Sequence, residues 1–224
     1  MKIRQFKQEA LFGLRGRWGL AIGIIVLSGL VGSAVPNLAG AILASFFEGD
    51  AKDIVKGISQ MLLSLLLTPI TIGASWMYLN IVRREHTEIA DLFSKPFSNS
   101  AVSGKLILAS FLMGLYTILW SLLLIVPGII KSLAYSQTGF ILKDHPEYSA
   151  NQAITFSRKL MDGQKWRYFL LCLSFIGWGI LSIFTLFIGL LWLIPYMNTT
   201  QAAFYNEISG FKKQDEEGSS LELQ

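Results

Sequence analysis

Two sets of polar side chains recur at helical spacing inside apolar sequence, and they are the residues of this chain best suited to binding chemistry. The spacing i, i+4, i+7 or i, i+3, i+7 places each set on one face of a helix. The six residues are Lys131, Tyr135, Thr138, Asn198, Gln201 and Tyr205. Two interpretations stay open: a polar cavity for a small solute or lipid headgroup, or hydrogen bonds between helices with Lys131 extending to the outer interface.

The sequence carries no motif of the common catalytic or metal sites. No G-x-S-x-G, phosphate-binding P-loop or H-E-x-x-H pattern occurs. His86 and His145 lie in different loops without a neighbouring Cys or second His, so the zinc pattern is missing. Acidic residues accompany both histidines, including Asp144, and solvation of the loops explains them more simply than a metal. We therefore expect no enzyme and no cofactor.

The composition indicates which class of protein must position these residues. Of 224 residues, 52% are hydrophobic and 15% are charged, and the mean hydropathy is +0.49. Soluble domains carry about 25% charged residues, so the sequence predicts an integral membrane protein. The net charge of +4 does not indicate nucleic acid, because the basic residues lie between long uncharged runs and form no basic stripe with interleaved aromatics.

The uncharged runs predict an all-α polytopic membrane helical bundle, with about six transmembrane helices in three hairpins. A span needs about 20 apolar residues. Pro127-Gly128 and Pro195 are expected to begin short returning helices. The predicted spans lie within residues 18–47, 57–82, 106–130, 128–142, 168–190 and 195–208, and form one domain over 18–209. The two short helices, 128–142 and 195–208, are the ones least certain to cross the bilayer completely.

The positions of the basic residues predict the orientation. With the N-terminus in the cytoplasm, 16 of the 19 Lys and Arg residues fall on the inner side, as the positive-inside rule requires. Lys52, Lys56 and Lys131 are expected outside or near the outer face. Both termini are then cytoplasmic, and residues 210–224 form a disordered, polar and acidic tail.

Two stretches have the spacing of amphipathic surface helices. Residues 1–17 place Phe6, Ala10 and Leu14 on one face and form a predicted cytoplasmic N-terminal helix. A second helix is capped at Ser149 and ends at Gly163. Such helices can lie in the membrane interface with their cations toward lipid headgroups, or they can pack on the bundle as ordinary connecting helices. Both alternatives stay open.

A short pattern suggests that the three hairpins are repeats. In the second helix of each, a proline follows Leu- or Ile-rich sequence and a tyrosine comes eight to ten residues later. The pairs are Pro69 with Tyr78, Pro127 with Tyr135, and Pro195 with Tyr205. Three parallel hairpins would explain the pattern, and so would chance matching of Pro and Tyr in apolar sequence.

The central and C-terminal blocks carry a family resemblance. The motifs are Trp120–Lys131, Tyr135, Asp144–Glu147, Ser157–Met161, Gly163, Trp166, Leu173–Trp178, Pro195-Tyr196 and Tyr205. Through them the chain, over roughly residues 5–210, resembles the bacterial integral membrane protein family known as domain of unknown function 975. The resemblance implies a multi-span protein of the bacterial cytoplasmic membrane. It supplies no catalytic or ligand residue.

These observations lead to two function hypotheses. The first is a non-enzymatic binding, scaffolding or accessory component whose partners are the lipid bilayer, anionic lipid headgroups or another membrane protein. The second is a transporter or lipid-handling protein, with the six polar residues lining a cavity between the short fourth and sixth helices. An enzyme is the third and weakest reading.

Overall fold

The computed structural model describes residues 3–210, and this part of the chain is all-helical. The helices are α1 (Ile3–Leu14), α2 (Trp18–Gly29), α3 (Val35–Ala44), α4 (Asp50–Leu66), α5 (Thr68–Arg83), α6 (Asp91–Ser94), α7 (Ser100–Leu123), α8 (Ile125–Tyr135), α9 (Thr138–Asp144), α10 (Ala150–Leu160), α11 (Lys165–Leu173), α12 (Ile176–Phe184) and α13 (Leu190–Ile208). Residues 211–224 of the predicted tail lie outside the described residues.

Four helices in the described part of the chain are long and apolar enough to cross a membrane. They are Trp18–Ala44, Asp50–Arg83, Ser100–Leu122 and Lys165–Phe184. The first combines α2 and α3 through a π-helical segment, Leu30–Ala34. The second combines α4 and α5, because Pro69 lies in the first turn of α5, where proline is tolerated. An all-helical fold with four helices long and apolar enough to cross a membrane is therefore confirmed, whereas the arrangement of six spans in three hairpins is not.

The predicted fourth span, 128–142, is two helices in the structure. The chain turns at Leu124, which is extended (φ −164°, ψ 144°), and α8 begins before Pro127. A Cβ atom built on Gly128 would lie 2.2 Å from Ser121 Oγ, so α7 and α8 approach each other closely there. Ser136 and Gln137 then interrupt the helix before α9. The predicted turn at Pro127-Gly128 is wrong by about three residues, because proline fits the first helical turn.

The predicted helices at the end of the chain also change. The predicted helix 168–190 corresponds to the apolar stretch Lys165–Phe184, which consists of α11 and α12 joined through Ser174 and Phe175 and ends six residues before 190. The α12–α13 connection contains Leu186 and Phe187, both with positive φ. The last helix begins at Leu190 rather than Pro195, so that Pro195 lies inside α13. Pro195 is buried within the bundle.

The core lies around α5 and α13, and the apolar helices lie outside it. α5 buries eleven of its sixteen residues, and the fully buried Tyr78, Phe204 and Tyr205 come from these two helices. Tyr78 donates a hydrogen bond to the Ala21 carbonyl of α2 (2.9 Å). By contrast, α3, α4, α7 and α12 carry most of the large exposed apolar side chains. The polar residues of interest therefore come from the inner helices.

Both expected amphipathic helices form and pack on this core. In α1, Phe6, Ala10 and Leu14 are buried, and the Phe6 ring lies 5.3 Å from the Phe204 ring. In α10, the predicted cap is a full capping box between Ser149 and Gln152. The structure thus shows the packed inner faces of these helices, while a place in the membrane interface stays a prediction for their outer faces.

Candidate functional site

Three of the six predicted polar residues lie on α8 and α9. Lys131 is half-buried, with its Nζ atom 4.5 Å from the centre of the Trp120 ring. Tyr135 is buried beside Tyr116, at 6.2 Å between ring centres. Thr138 is buried and donates a hydrogen bond to the Tyr135 carbonyl (2.8 Å). Lys131 and Tyr135 line two different cavities, so α8 presents them to separate surroundings.

The other three lie on α13. Asn198 and Gln201 are half-buried, and the Asn198 side chain lies near the Tyr78 side chain. Tyr205 is buried, and its hydroxyl donates to Asp144 Oδ2 (2.9 Å). The contacts of these residues are mostly with other helices of the bundle. The structure does not bring the six residues together around one described cavity, and a shared polar cavity stays a prediction.

A buried polar cluster joins the ends of α5, α9 and α13. The Arg83 guanidinium donates two hydrogen bonds to the Asp144 carboxylate, at 2.6 Å to each oxygen. Arg83 Nε donates a third to Asn206 Oδ1 (3.0 Å). With Tyr205, these residues form what we call the helix-end cluster: Arg83, Asp144, Tyr205 and Asn206. Two-pronged Arg–carboxylate pairs are the strongest and most directional hydrogen bonds between side chains.

The charged side chains of the helix-end cluster are largely shielded from solvent. The side chains of Arg83 and Asp144 are only 5% and 15% exposed. Burial by itself would raise the pKa of Asp144, but the hydrogen bonds and positive charge of Arg83 outweigh it and leave that pKa below its usual value. Asp144 is therefore a fixed anion that accepts three hydrogen bonds. Such a group holds helices together and is poorly suited to exchange protons.

Asp144 corrects one sequence interpretation and reveals residues that it missed. We attributed this carboxylate to solvation of the loop around His145, and that is wrong because Arg83, 61 residues away, pairs with it. A signal was present in the sequence: Arg83, Asp144 and Asn206 each lie near the end of a predicted second helix of a hairpin. Polar residues at equivalent ends of neighbouring helices can meet.

More basic residues gather around the same helix ends. Lys143 donates to Asn80 Oδ1 and approaches Glu85 Oε2 (3.4 Å), and burial lowers the pKa of Lys143. Arg17 donates to the Glu85 carbonyl (3.1 Å), and Lys105 donates to the Pro146 carbonyl (2.7 Å). Three chain segments thus bring their basic residues to one end of the bundle.

A second group of cations surrounds a cavity of about 320 Å³, which we call the cationic cavity. Its lining comes from α8, α10, α11 and the connection before α11: Ile130, Lys131, Ala134, Arg158, Lys159, Asp162 and Lys165. α10 folds back along α8, since Ser157 Oγ donates to the Ala134 carbonyl (2.8 Å). The sequence placed Lys131 near the outer face, away from Arg158. The structure corrects this, because both side chains line one cavity.

Comparison with known proteins gives one match. Residues 122–212 match the model of a family described as protein of unknown function (DUF975). This stretch of the chain resembles DUF975. No curated protein and no solved structure matches the chain.

The DUF975 stretch contains most of both polar sites. It begins at the end of α7 and includes α8 to α13. The whole cationic cavity lies within it, and so do Asp144, Tyr205 and Asn206, whereas Arg83 lies outside. Within residues 3–210 the structure contains no group of three or more His, Cys, Asp or Glu residues that could hold a metal ion.

Proposed function

We propose that this protein is a non-enzymatic binding or scaffolding component of a bacterial cytoplasmic membrane, with lipid as its surrounding partner. The observation that carries the proposal is a contrast: the long apolar helices leave most of their side chains exposed, whereas the polar side chains of the helix-end cluster are buried and hydrogen-bonded to each other. Only 11% of the most apolar stretch of Trp18–Ala44, and 11% of that of Ser100–Leu122, is buried within the protein. Exposing a large aliphatic side chain to water costs about 1.5–3 kcal/mol, and these helices expose many.

The inner helices support a binding or scaffolding role over transport. The helix-end cluster joins three helices through a fully hydrogen-bonded, largely buried ion pair. Such a pair fixes one arrangement of these helices, whereas alternating access requires helices to move against each other around a central site. The proposed role is therefore one of a rigid membrane platform that presents surfaces to lipid or to another membrane protein.

The basic residues support an orientation with both termini in the cytoplasm. Arg17, Arg83, Lys105 and Lys143 come from separate segments and are joined by contacts at one end of the bundle. Basic residues favour the cytoplasmic side. Ala51 is the second residue of the long helix Asp50–Arg83 and lies 32 residues from Arg83, roughly 48 Å along the helix at 1.5 Å per residue. That length exceeds the bilayer core of about 30 Å.

Two measurements on the full chain test this proposal. Extraction of membranes with alkaline carbonate should leave the protein in the pellet. The labelling uses a Cys172→Ser background, because Cys172 is the one cysteine in the sequence. In it, Ala51→Cys should react with a membrane-impermeant maleimide in intact cells. Ser98→Cys should react only after lysis. Release by carbonate would refute membrane integration. The reverse labelling pattern would refute the orientation.

A flux assay separates scaffolding from transport. A library of small radiolabelled solutes is added outside the vesicles. Proteoliposomes that contain the protein should take up the solutes no faster than liposomes without it. Saturable uptake that Asn198→Ala or Gln201→Ala abolishes would favour the transporter hypothesis instead. Ser100→Ala, an exposed polar change outside both sites, is the matched control variant.

A further inference from the structure

Part of the positive charge around the cationic cavity is not neutralised by the protein. Four cations line it, Lys131, Arg158, Lys159 and Lys165, against one carboxylate. That carboxylate, Asp162, pairs with Lys165 at 3.3 Å. Within residues 3–210, the side chains of Arg158 and Lys159 form no ion pair and no hydrogen bond. Like charges held around one space repel each other, and an anion in that space would relieve the repulsion.

A smaller cavity of about 160 Å³ provides the contrast. It is lined by Lys95, Lys105 and Lys143 among others. Each of these three lysines already has a partner: Asp91 at 3.1 Å, the Pro146 carbonyl at 2.7 Å, and Glu85 at 3.4 Å. The lysines of the smaller cavity therefore have partners within the protein, whereas among residues 3–210 Arg158 and Lys159 of the cationic cavity have no such side-chain partner.

The surroundings of the cationic cavity are apolar on the α8 side. Ile130 and Ala134 line it directly. Val126, Ile129 and Ile130 leave about half or more of their surface exposed along the same helix. Trp166, next to Lys165, is 67% exposed, and exposed tryptophan is typical of the level of the lipid headgroups. A ligand at this place would meet positive charge at one end and apolar surface at the other.

We propose that the cationic cavity binds the phosphate headgroup of an anionic phospholipid, with the acyl chains against the exposed apolar face of α8. The cavity, at about 320 Å³, has room for a phosphodiester group. Arg158 supplies the planar, two-pronged donor that suits phosphate oxygens, and Lys131 and Lys159 supply point charges. The inference rests on the proposed membrane function and names the ligand chemistry within it.

The test uses the full chain in phosphatidylcholine nanodiscs and short-chain phosphatidylglycerol as the probe, with bound lipid counted by native mass spectrometry. The double variant Arg158→Gln/Lys159→Gln should lower the affinity for phosphatidylglycerol by about 10-fold or more, since each cation near an anionic surface contributes measurably. The control Lys52→Gln/Lys56→Gln removes the same charge from the exposed side of α4 and should change it less than 3-fold. Lys131→Gln, on a different helix, should weaken the same binding.

Each further outcome has a defined meaning. Equal losses in the two double variants, or equal binding of phosphatidylglycerol and phosphatidylcholine, would overturn the site. Full competition by millimolar inorganic phosphate would overturn the lipid as ligand and identify a site for a free anion. Release of the protein by carbonate would refute the membrane function itself. A protein that stays in the membrane but does not prefer phosphatidylglycerol refutes only this inference.

Discussion

Removing the carboxylate of the helix-end cluster should destabilise the protein more than removing any exposed carboxylate. Asp144→Ala leaves the Arg83 guanidinium, 5% exposed, without the anion to which it donates two 2.6 Å hydrogen bonds. Breaking a buried pair by deleting one partner costs about 3–5 kcal/mol. Tyr205→Phe removes one hydrogen bond to a charged acceptor and should cost about 1.5–3 kcal/mol.

A double variant separates the interaction between Arg83 and Asp144 from the contribution of each residue alone. Arg83→Leu/Asp144→Leu removes both charges, so that no buried charge is left without a partner. We expect it to cost less than either single substitution, because replacing a whole buried pair by apolar groups is often close to neutral. Measured against the single variants Arg83→Leu and Asp144→Leu, each expected to cost about 3–5 kcal/mol, the coupling energy between the two positions should then be at least about 3 kcal/mol.

The assay is reversible unfolding in mixed detergent micelles with increasing sodium dodecyl sulfate, followed by circular dichroism. Glu147→Ala is the control, because its side chain is 63% exposed and its contact is with His145 at the surface. Surface pairs contribute about 0–1 kcal/mol. The reasoning would be refuted if Asp144→Ala and Glu147→Ala had the same free energy of unfolding, or if the coupling energy were below about 0.5 kcal/mol.

Three further predictions concern other parts of the bundle. Gly128→Ala should lower the free energy of unfolding by about 1–3 kcal/mol, because the added methyl group overlaps α7, while Gly177→Ala, with open space around it, should not. Phe6→Ala should cost about 3–5 kcal/mol and expose α1 to trypsin, whereas Phe12→Ala, on the exposed face, should do neither. Acid should also destabilise the protein: the pKa of Asp144 is lowered in the folded state, so its stabilising contribution is complete above the unfolded pKa of about 3.9 and is lost as the pH falls below it. The unfolding free energy between pH 6 and pH 3 should therefore fall less in Arg83→Leu/Asp144→Leu; an equal fall would contradict this assignment.

Features determined by nearby residues were predictable. The capping box of α10 joins Ser149 and Gln152, three residues apart, and the buried face of α1 follows from the spacing of Phe6, Ala10 and Leu14. Hydropathy likewise predicted spans within 18–47, 57–82 and 106–130, and these overlap the long apolar helices Trp18–Ala44, Asp50–Arg83 and Ser100–Leu122. In each case the physical cause acts within a few turns of one helix.

Features determined by distant partners were not predictable. Asp144 is a polar loop residue by sequence, and only packing of α5 against α9 brings Arg83 to it. The start of α13 was misplaced for a related reason, because a proline ends a helix by local rules while tertiary packing holds Leu190–Ile208 together around Pro195. Lys131 meets Arg158 only because α10 folds back along α8.

The packing of α1 on α13 has a consequence for the order of assembly during translation. Phe6 packs on Phe204, and Arg167 pairs with Glu207 beside them. Phe6 is synthesised 198 residues before Phe204, so the part of the α1 face around Phe6 waits for its α13 partner through most of translation, although the part around Gly13 can already pack on Ile81 of α5. At about 5–20 residues per second, that interval lasts roughly 10–40 seconds. Docking of α13 is then the step that buries Phe6 and completes the packing of α1.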